Sequence, residues 1–94
     1  MFYVYVLLNP QKGRTYIGYT KDLRRRVKEH QQEKGARYTR RGVWNLVYYE
    51  AYADQRDAAL RERRLKQDGR SKTQLLHRIQ NSLTGQKGAG EAPN

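Results

Sequence analysis

The apolar positions of this chain follow a two-residue period at first and a helical period later. In Phe2 to Leu8 (FYVYVLL), β-forming residues place Phe2, Val4, Val6 and Leu8 on one face and Tyr3, Tyr5 and Leu7 on the other, which predicts a strand. Asn9, Pro10 and Gly13 mark a turn, and Thr15 to Tyr19 reads as the returning strand of a hairpin. Trp44 to Ala51 (WNLVYYEA) predicts a third strand. All 8 Tyr, the single Phe and the single Trp precede Ala53, so the sheet belongs to the first half of the chain. Between the second and third strands, Thr20 is the expected N-cap of a helix from about Lys21 to Glu33. Asp22 then lies in its first turn, and Leu23 and Val27 form its buried stripe. Lys34 to Gly42 (KGARYTRRG), bounded by glycines and rich in positive charge, is expected to be a loop. A second helix is expected from Asp54 or Gln55 to about Gln67. A third should open at Ser71 with a capping box to Gln74 and continue through Leu75, Leu76, Ile79 and Leu83. After Leu83 the segment from Thr84 to Asn94 has no large apolar residue to anchor it and is expected to be a disordered tail, leaving residues 1–83 as the domain.

Composition narrows the classes of function. A chain of 94 residues has apolar surface for one core, so a second DNA-binding domain is not expected. With no cysteine, disulfide frameworks, thiolate metal sites and cysteine nucleophiles are excluded, and any metal must be held by oxygen or imidazole. The apolar runs Val4 to Leu8 and Leu46 to Tyr49 are too short to span a bilayer, and the N-terminus lacks the basic region of a signal peptide, so the expected location is the cytoplasm. Twenty Lys and Arg against 9 Asp and Glu give a net charge of +11 and a pI near 10.3. Such a surface binds polyanions through counterion release, and no helix sets a bulky apolar face against its charges as a membrane-surface helix does. Nucleic acid is the expected partner and a membrane is not.

Several residues carry candidate chemistry. Tyr5 and Tyr16, on adjacent antiparallel strands, can share a face with converging hydroxyls, or they can simply be cross-strand aromatic neighbours. Arg26 and His30 are four residues apart at the margin of the Leu23 and Val27 stripe, near the sheet. His30 suits helix packing as well as it suits catalysis. Arg24, Arg25 and Lys28 read as a solvated basic face that contacts phosphates, joined by Lys34, Arg37, Tyr38, Arg40 and Arg41 of the loop. Glu62 falls between Ala58, Ala59 and Leu65, so a carboxylate interrupts an apolar stripe while Leu60 points elsewhere. Its partner is either a neighbouring arginine, Arg61 or Arg63, or a hard divalent cation completed by water and substrate oxygens.

Tyr3-Val4-Tyr5, ten intervening residues and Tyr16-Ile17-Gly18 resemble the paired signature of the GIY-YIG nuclease superfamily. Thr20 to Arg26 with His30 is similar to that family's active-site helix. Lys34 to Thr39 and Ala59-Leu60-Arg61-Glu62 resemble segments of its small stand-alone bacterial members. The match runs from about Phe2 to Leu76 in order and spacing. The resemblance implies an α/β (α+β) fold, a small three-stranded antiparallel sheet flanked by helices, which the pattern above supports. It further implies Tyr5 and Tyr16 as active-site tyrosines, with Tyr16 the general base and Tyr5 orienting water or phosphate, and His30 the competing base. Arg26 would hold the scissile phosphate, and Glu62 would be the one protein ligand of a Mg²⁺ or Mn²⁺ ion. Tyr3 replaces the name-giving glycine, and Asn81 is the candidate for an asparagine found late in homing-type members. The implied activity is endonucleolytic hydrolysis of DNA, with RNA as the other substrate class and DNA repair a family-level association. The rival expectations are a binding module without chemistry and a subunit completed by a protein partner that supplies specificity.

Overall fold

β1 (Phe2–Asn9) is the middle strand of a three-stranded antiparallel sheet, flanked by β2 (Arg14–Thr20) and β3 (Asn45–Tyr52). The computed structural model describes residues 1–32 and 43–85. As a central strand covered on both faces, β1 is buried continuously from Val4 to Asn9, as its near-unbroken apolar sequence requires. Asn9, 2% exposed, closes the hairpin: its side-chain carbonyl accepts the Gln11 and Lys12 N–H groups at 3.0 and 3.1 Å, and its main-chain carbonyl accepts the Gly13 N–H at 2.8 Å. Gly13 sits at φ 63, a left-handed conformation that a side chain would strain.

The two faces of β1 divide the core in two. Val4 and Val6 pack with Ile17 of β2 against Ala58 and Leu65 of α2 (Gln55–Gln67) and Leu75 of α3 (Gly69–Arg78). On the opposite face Tyr5 and Leu7 pack with Trp44, and Tyr16, Leu46 and the Leu23 and Val27 stripe of α1 (Leu23–Gln31) close over them. A bulge separates the pairs Val6–Tyr48 and Leu7–Leu46, leaving Val47 as the extra residue, and Val47 packs on the Val4 side. A short α4 (Gln80–Thr84) completes the described chain. The predicted α+β class, three-stranded antiparallel sheet and helix count up to α3 hold. No helix among the described residues is long and apolar enough to cross a membrane.

The helix starts differ from expectation for one reason. α1 is capped by Asp22, not Thr20: the Asp22 carboxylate accepts the Arg25 N–H at 3.1 Å, while the Thr20 hydroxyl accepts the Asp22 N–H at 3.1 Å and Thr20 itself ends β2. α3 starts at Gly69 under an Asp68 cap, and Ser71, the expected cap, lies inside the helix donating its hydroxyl to Asp68 at 2.8 Å. In both cases an aspartate, a stronger charge-assisted acceptor, takes the role from a nearby hydroxyl. The expected long third helix also breaks at Ile79 into α3 and α4. The third strand runs one residue later than predicted, with Trp44 buried just before it. The basic segment Lys34 to Gly42, Glu33 and residues 86–94 of the tail lie outside the described residues.

One polar cluster braces β3 to α2. The Glu50 carboxylate, 14% exposed, accepts hydrogen bonds from the Tyr48 hydroxyl at 2.6 Å, from the Tyr52 hydroxyl, and from Arg61 at 2.9 Å. Burial pushes its acidity down, but these donors outweigh it and hold the carboxyl below its ordinary pKa. Glu50→Ala strands the Arg61 guanidinium, and the expected loss is about 3 kcal/mol of stability. Urea unfolding of the variant against wild type measures it.

Candidate active site

The register of the hairpin brings the two signature tyrosines together. Tyr16 pairs with Leu7 and Gly18 with Tyr5, so Tyr5 and Tyr16 are diagonal neighbours on the α1 face, their rings 6.4 Å apart. Tyr5 is 1% exposed, and its ring lies across Gly18: a Cβ built there would fall 2.3 Å from the Tyr5 Cζ and Oη. The glycine of Tyr16-Ile17-Gly18 is thus required by space and not by backbone angle. It is the hole that receives Tyr5.

α1 places the next two groups. His30, the only buried residue of this helix, packs its ring 5.8 Å from Tyr5 and 5.1 Å from Tyr16, and its Nε2 is 2.9 Å from the Tyr5 hydroxyl. Whether the phenol donates the hydrogen bond to Nε2 or accepts it from Nε2–H depends on the imidazole tautomer. Burial, reinforced by the positive Arg26, pushes the His30 pKa down to about 4. Burial likewise pushes Tyr5 up to about 12, against the pull of its hydrogen bond with Arg26. At neutral pH both partners are therefore uncharged. Arg26 is half-buried and donates to Glu29 at 3.0 Å; burial opposes its charge, but the bonds to Glu29 and Tyr5 prevail and hold its pKa above the ordinary value. Arg24, Arg25 and Lys28 are exposed.

The depressed His30 pKa has a measurable consequence for stability. Unfolded histidine takes up a proton below pH 6.5, whereas folded His30 resists until about pH 4, so the unfolded state binds more protons in that window. The stability is complete above pH 6.5 and is lost as pH falls toward 4. The expected loss attributable to His30, which is 0% exposed, is about 3 kcal/mol. It is read as the difference in acid sensitivity between wild type and His30→Gln in urea unfolding at pH 7 and pH 4.

Glu62 comes from α2, on the far side of the sheet, yet its field contributes to the upward shift of Tyr5. Its side chain is 24% exposed and pairs with the Lys66 ammonium at 2.9 Å. The neighbouring-arginine alternative is corrected here: Arg61 is held by Glu50, and the partner one turn along the helix is Lys66. Lys66 in turn lies 5.7 Å from the centre of the Tyr16 ring, a cation–π contact that reaches round the β2 edge. Sequence reasoning passed over Lys66, although its spacing from Glu62 was a usable signal. Among the described residues no group of three or more His, Asp or Glu side chains could hold a metal. The donor set around Glu62 therefore fits one mode, a hard divalent cation bound by one carboxylate and completed by water and substrate oxygens. A reachable carboxylate that already holds a flexible ammonium suits that mode. Asn81, the asparagine candidate, is exposed on α4, and among the described residues no contact connects it with Tyr5 or Tyr16.

Tyr5, Tyr16, Arg26 and His30 thus meet on the α1 face of the hairpin, while Glu62 stands across the sheet and reaches them through its field on Tyr5 and through Lys66. A family profile described as the GIY-YIG catalytic domain matches residues 1–75. A UPF0213 protein of Bacillus pumilus is 43% identical over 74 residues, covering 78% of this chain and 74% of its own, and UPF0213 protein HQ_3675A of Haloquadratum walsbyi is 45% identical over 76 residues, covering 79% and 83%. The solution NMR structure of UPF0213 protein BH0048 from Bacillus halodurans superposes with a TM-score of 0.54 at 35% identity, covering 94% of this chain and 98% of that one. With the family match spanning most of its length, the chain belongs to the GIY-YIG catalytic-domain family, a nuclease superfamily.

Proposed function

We propose that this protein is a divalent-metal-dependent endonuclease that hydrolyses phosphodiester bonds in DNA. The observation that carries this reading is the meeting, around a buried neutral Tyr5, of the His30 imidazole, the Arg26 guanidinium and the field of the Glu62 carboxylate, with Tyr16 in ring contact alongside. Hydrolysis needs a water deprotonated as it attacks, stabilisation of charge on the non-bridging oxygens, and help for the leaving oxygen.

Each role follows from environment. Tyr5, held protonated with a pKa of about 12, is a donor that orients water or a phosphate oxygen. His30, with a pKa of about 4, is a weak base and acts by fixing Tyr5. That leaves Tyr16, half-buried beneath the Lys66 ammonium, as the group that would take the proton, a role that requires its phenolate form. Arg26 grips the scissile phosphate with its planar fork. Glu62 would hold a Mg²⁺ or Mn²⁺ ion, which when bound supplies neutralising charge for the non-bridging and leaving oxygens. A cation at Glu62 competes with Lys66 for the same carboxylate.

The test is cleavage of a panel of branched, single-stranded and duplex DNA, with matched RNAs, with added Mg²⁺ or Mn²⁺ and with chelator. Endonucleolytic products that vanish with chelator and with Tyr16→Phe support the proposal. Salt-sensitive binding with no cleavage of any member identifies a binding module instead.

A further inference from the structure

The two flanks of α1 differ. Leu23, Val27 and His30 point at the sheet, and at 100° per residue Arg26 lies on one side of that stripe while Arg24, Lys28 and Gln31 lie on the other. The Arg26 side borders the tyrosines. The other side borders an open groove of about 680 Å³ between α1 and the β1–β3 part of the sheet.

The groove has a distinct chemistry. Its floor is apolar, formed by Leu23, Val27 and Leu46, and its wall on the sheet side is the edge-to-face pair Tyr3 and Tyr49, with ring centres 5.9 Å apart. Tyr49 is 52% exposed, which leaves ring surface open beside the apolar floor. Lys21, Arg24 and Lys28 line the helix side and are all exposed. The one carboxylate among the described residues at the rim, Asp22, is engaged with the Arg25 main chain and lies 3.9 Å from its guanidinium. None of these groups belongs to the catalytic cluster.

We infer that this groove binds an unpaired nucleic-acid strand, with a base stacked on Tyr49 and the flanking phosphates on Lys21, Arg24 and Lys28. A duplex keeps its bases stacked inside and offers phosphates alone, so it makes no use of an apolar floor or an exposed ring. A single strand uses both, because every base has a face to stack and a phosphate to neutralise. The inference rests on the nuclease reading and extends it. A helix of about 10 Å diameter separates groove and active site, so a strand that crosses α1 places a phosphate at Arg26 while its neighbouring bases lie in the groove. The favoured substrate is one with an unpaired arm beside the scissile bond.

Fluorescence anisotropy on labelled 12-nucleotide single strands of DNA and of RNA, and on a blunt duplex of the same sequence, tests this with wild type, Tyr49→Ala and Tyr49→Phe. The expected result is a fall of about 5- to 100-fold in the ratio of single-strand to duplex affinity for Tyr49→Ala, with Tyr49→Phe retaining the ratio because the ring remains. Arg24→Ala and Lys28→Ala should each reduce the salt slope of single-strand binding by about 1. A Tyr49-dependent loss on either the DNA or the RNA strand supports the inference, and the strand with the larger loss is the better fit to the groove. Loss in neither, or an equal loss on the duplex, overturns the inference. The nuclease reading fails separately: strand binding that depends on Tyr49, without cleavage of any substrate, leaves the groove standing and removes the enzyme.

Discussion

Gly18→Ala is expected to cost about 3 kcal/mol of stability and to disable the site in the same stroke. The added Cβ would lie 2.3 Å from two Tyr5 atoms and 2.9 Å from a third, closer than packed carbons approach. Tyr5 has no room to retreat, since its ring is buried against Leu7 and Trp44 and its hydroxyl is fixed by His30. Overpacking of this kind usually costs 1–3 kcal/mol, and the Tyr5–His30 hydrogen bond is lost in addition. For a domain of this size such a loss lowers Tm by roughly 10–20 °C. Thermal unfolding of Gly18→Ala, Tyr5→Leu and the double variant separates the cause. If the ring is what clashes, Gly18→Ala costs far less in the Tyr5→Leu background. Equal cost in both backgrounds would place the strain elsewhere.

The other large effect is on rate. Arg26→Ala is expected to lower kcat by about 10²- to 10³-fold, the usual result of removing one positioned charge donor from a developing oxyanion. The loss should fall on kcat and leave KM nearly unchanged, because in the proposed mechanism Arg26 would touch one phosphate while a net charge of +11 attracts many. Arg26→Lys should recover only part of the rate, since a point charge cannot reproduce the planar fork that also bonds Tyr5 and Glu29. Single-turnover kinetics on a cleaved substrate make the measurement. Stability should change little, as the guanidinium is only half-buried.

These two residues show what a sequence can and cannot disclose. The alternation in FYVYVLL was enough to assign both faces of β1, because a period of two leaves no freedom once the strand is central. The hairpin followed from Asn9 and Gly13, whose local chemistry admits few other conformations. Helix starts were less legible, since Thr20 and Asp22, or Asp68 and Ser71, are competing caps two or three residues apart and only the folded backbone selects between them. At the site, the shared face of Tyr5 and Tyr16 was readable, but the close fit of Tyr5 over Gly18 needed the strand register. The partner of Arg61 was hidden for a related reason. Glu50 lies eleven positions away on another element, and no local pattern connects them. The roles of His30 and Tyr5 depend on burial, which moves their pKa values in opposite directions and which spacing does not report.

The proposed joint action of Arg26 and Glu62 on one phosphodiester is tested by single-turnover DNA cleavage by wild type, Arg26→Ala and Glu62→Ala with Mg²⁺ or Mn²⁺, alongside DNA binding by the same three proteins. The expected result is metal-dependent cleavage by wild type and a fall of at least about 100-fold in each variant, with binding changed only a few-fold. Cleavage that survives both substitutions at the wild-type rate would contradict the account.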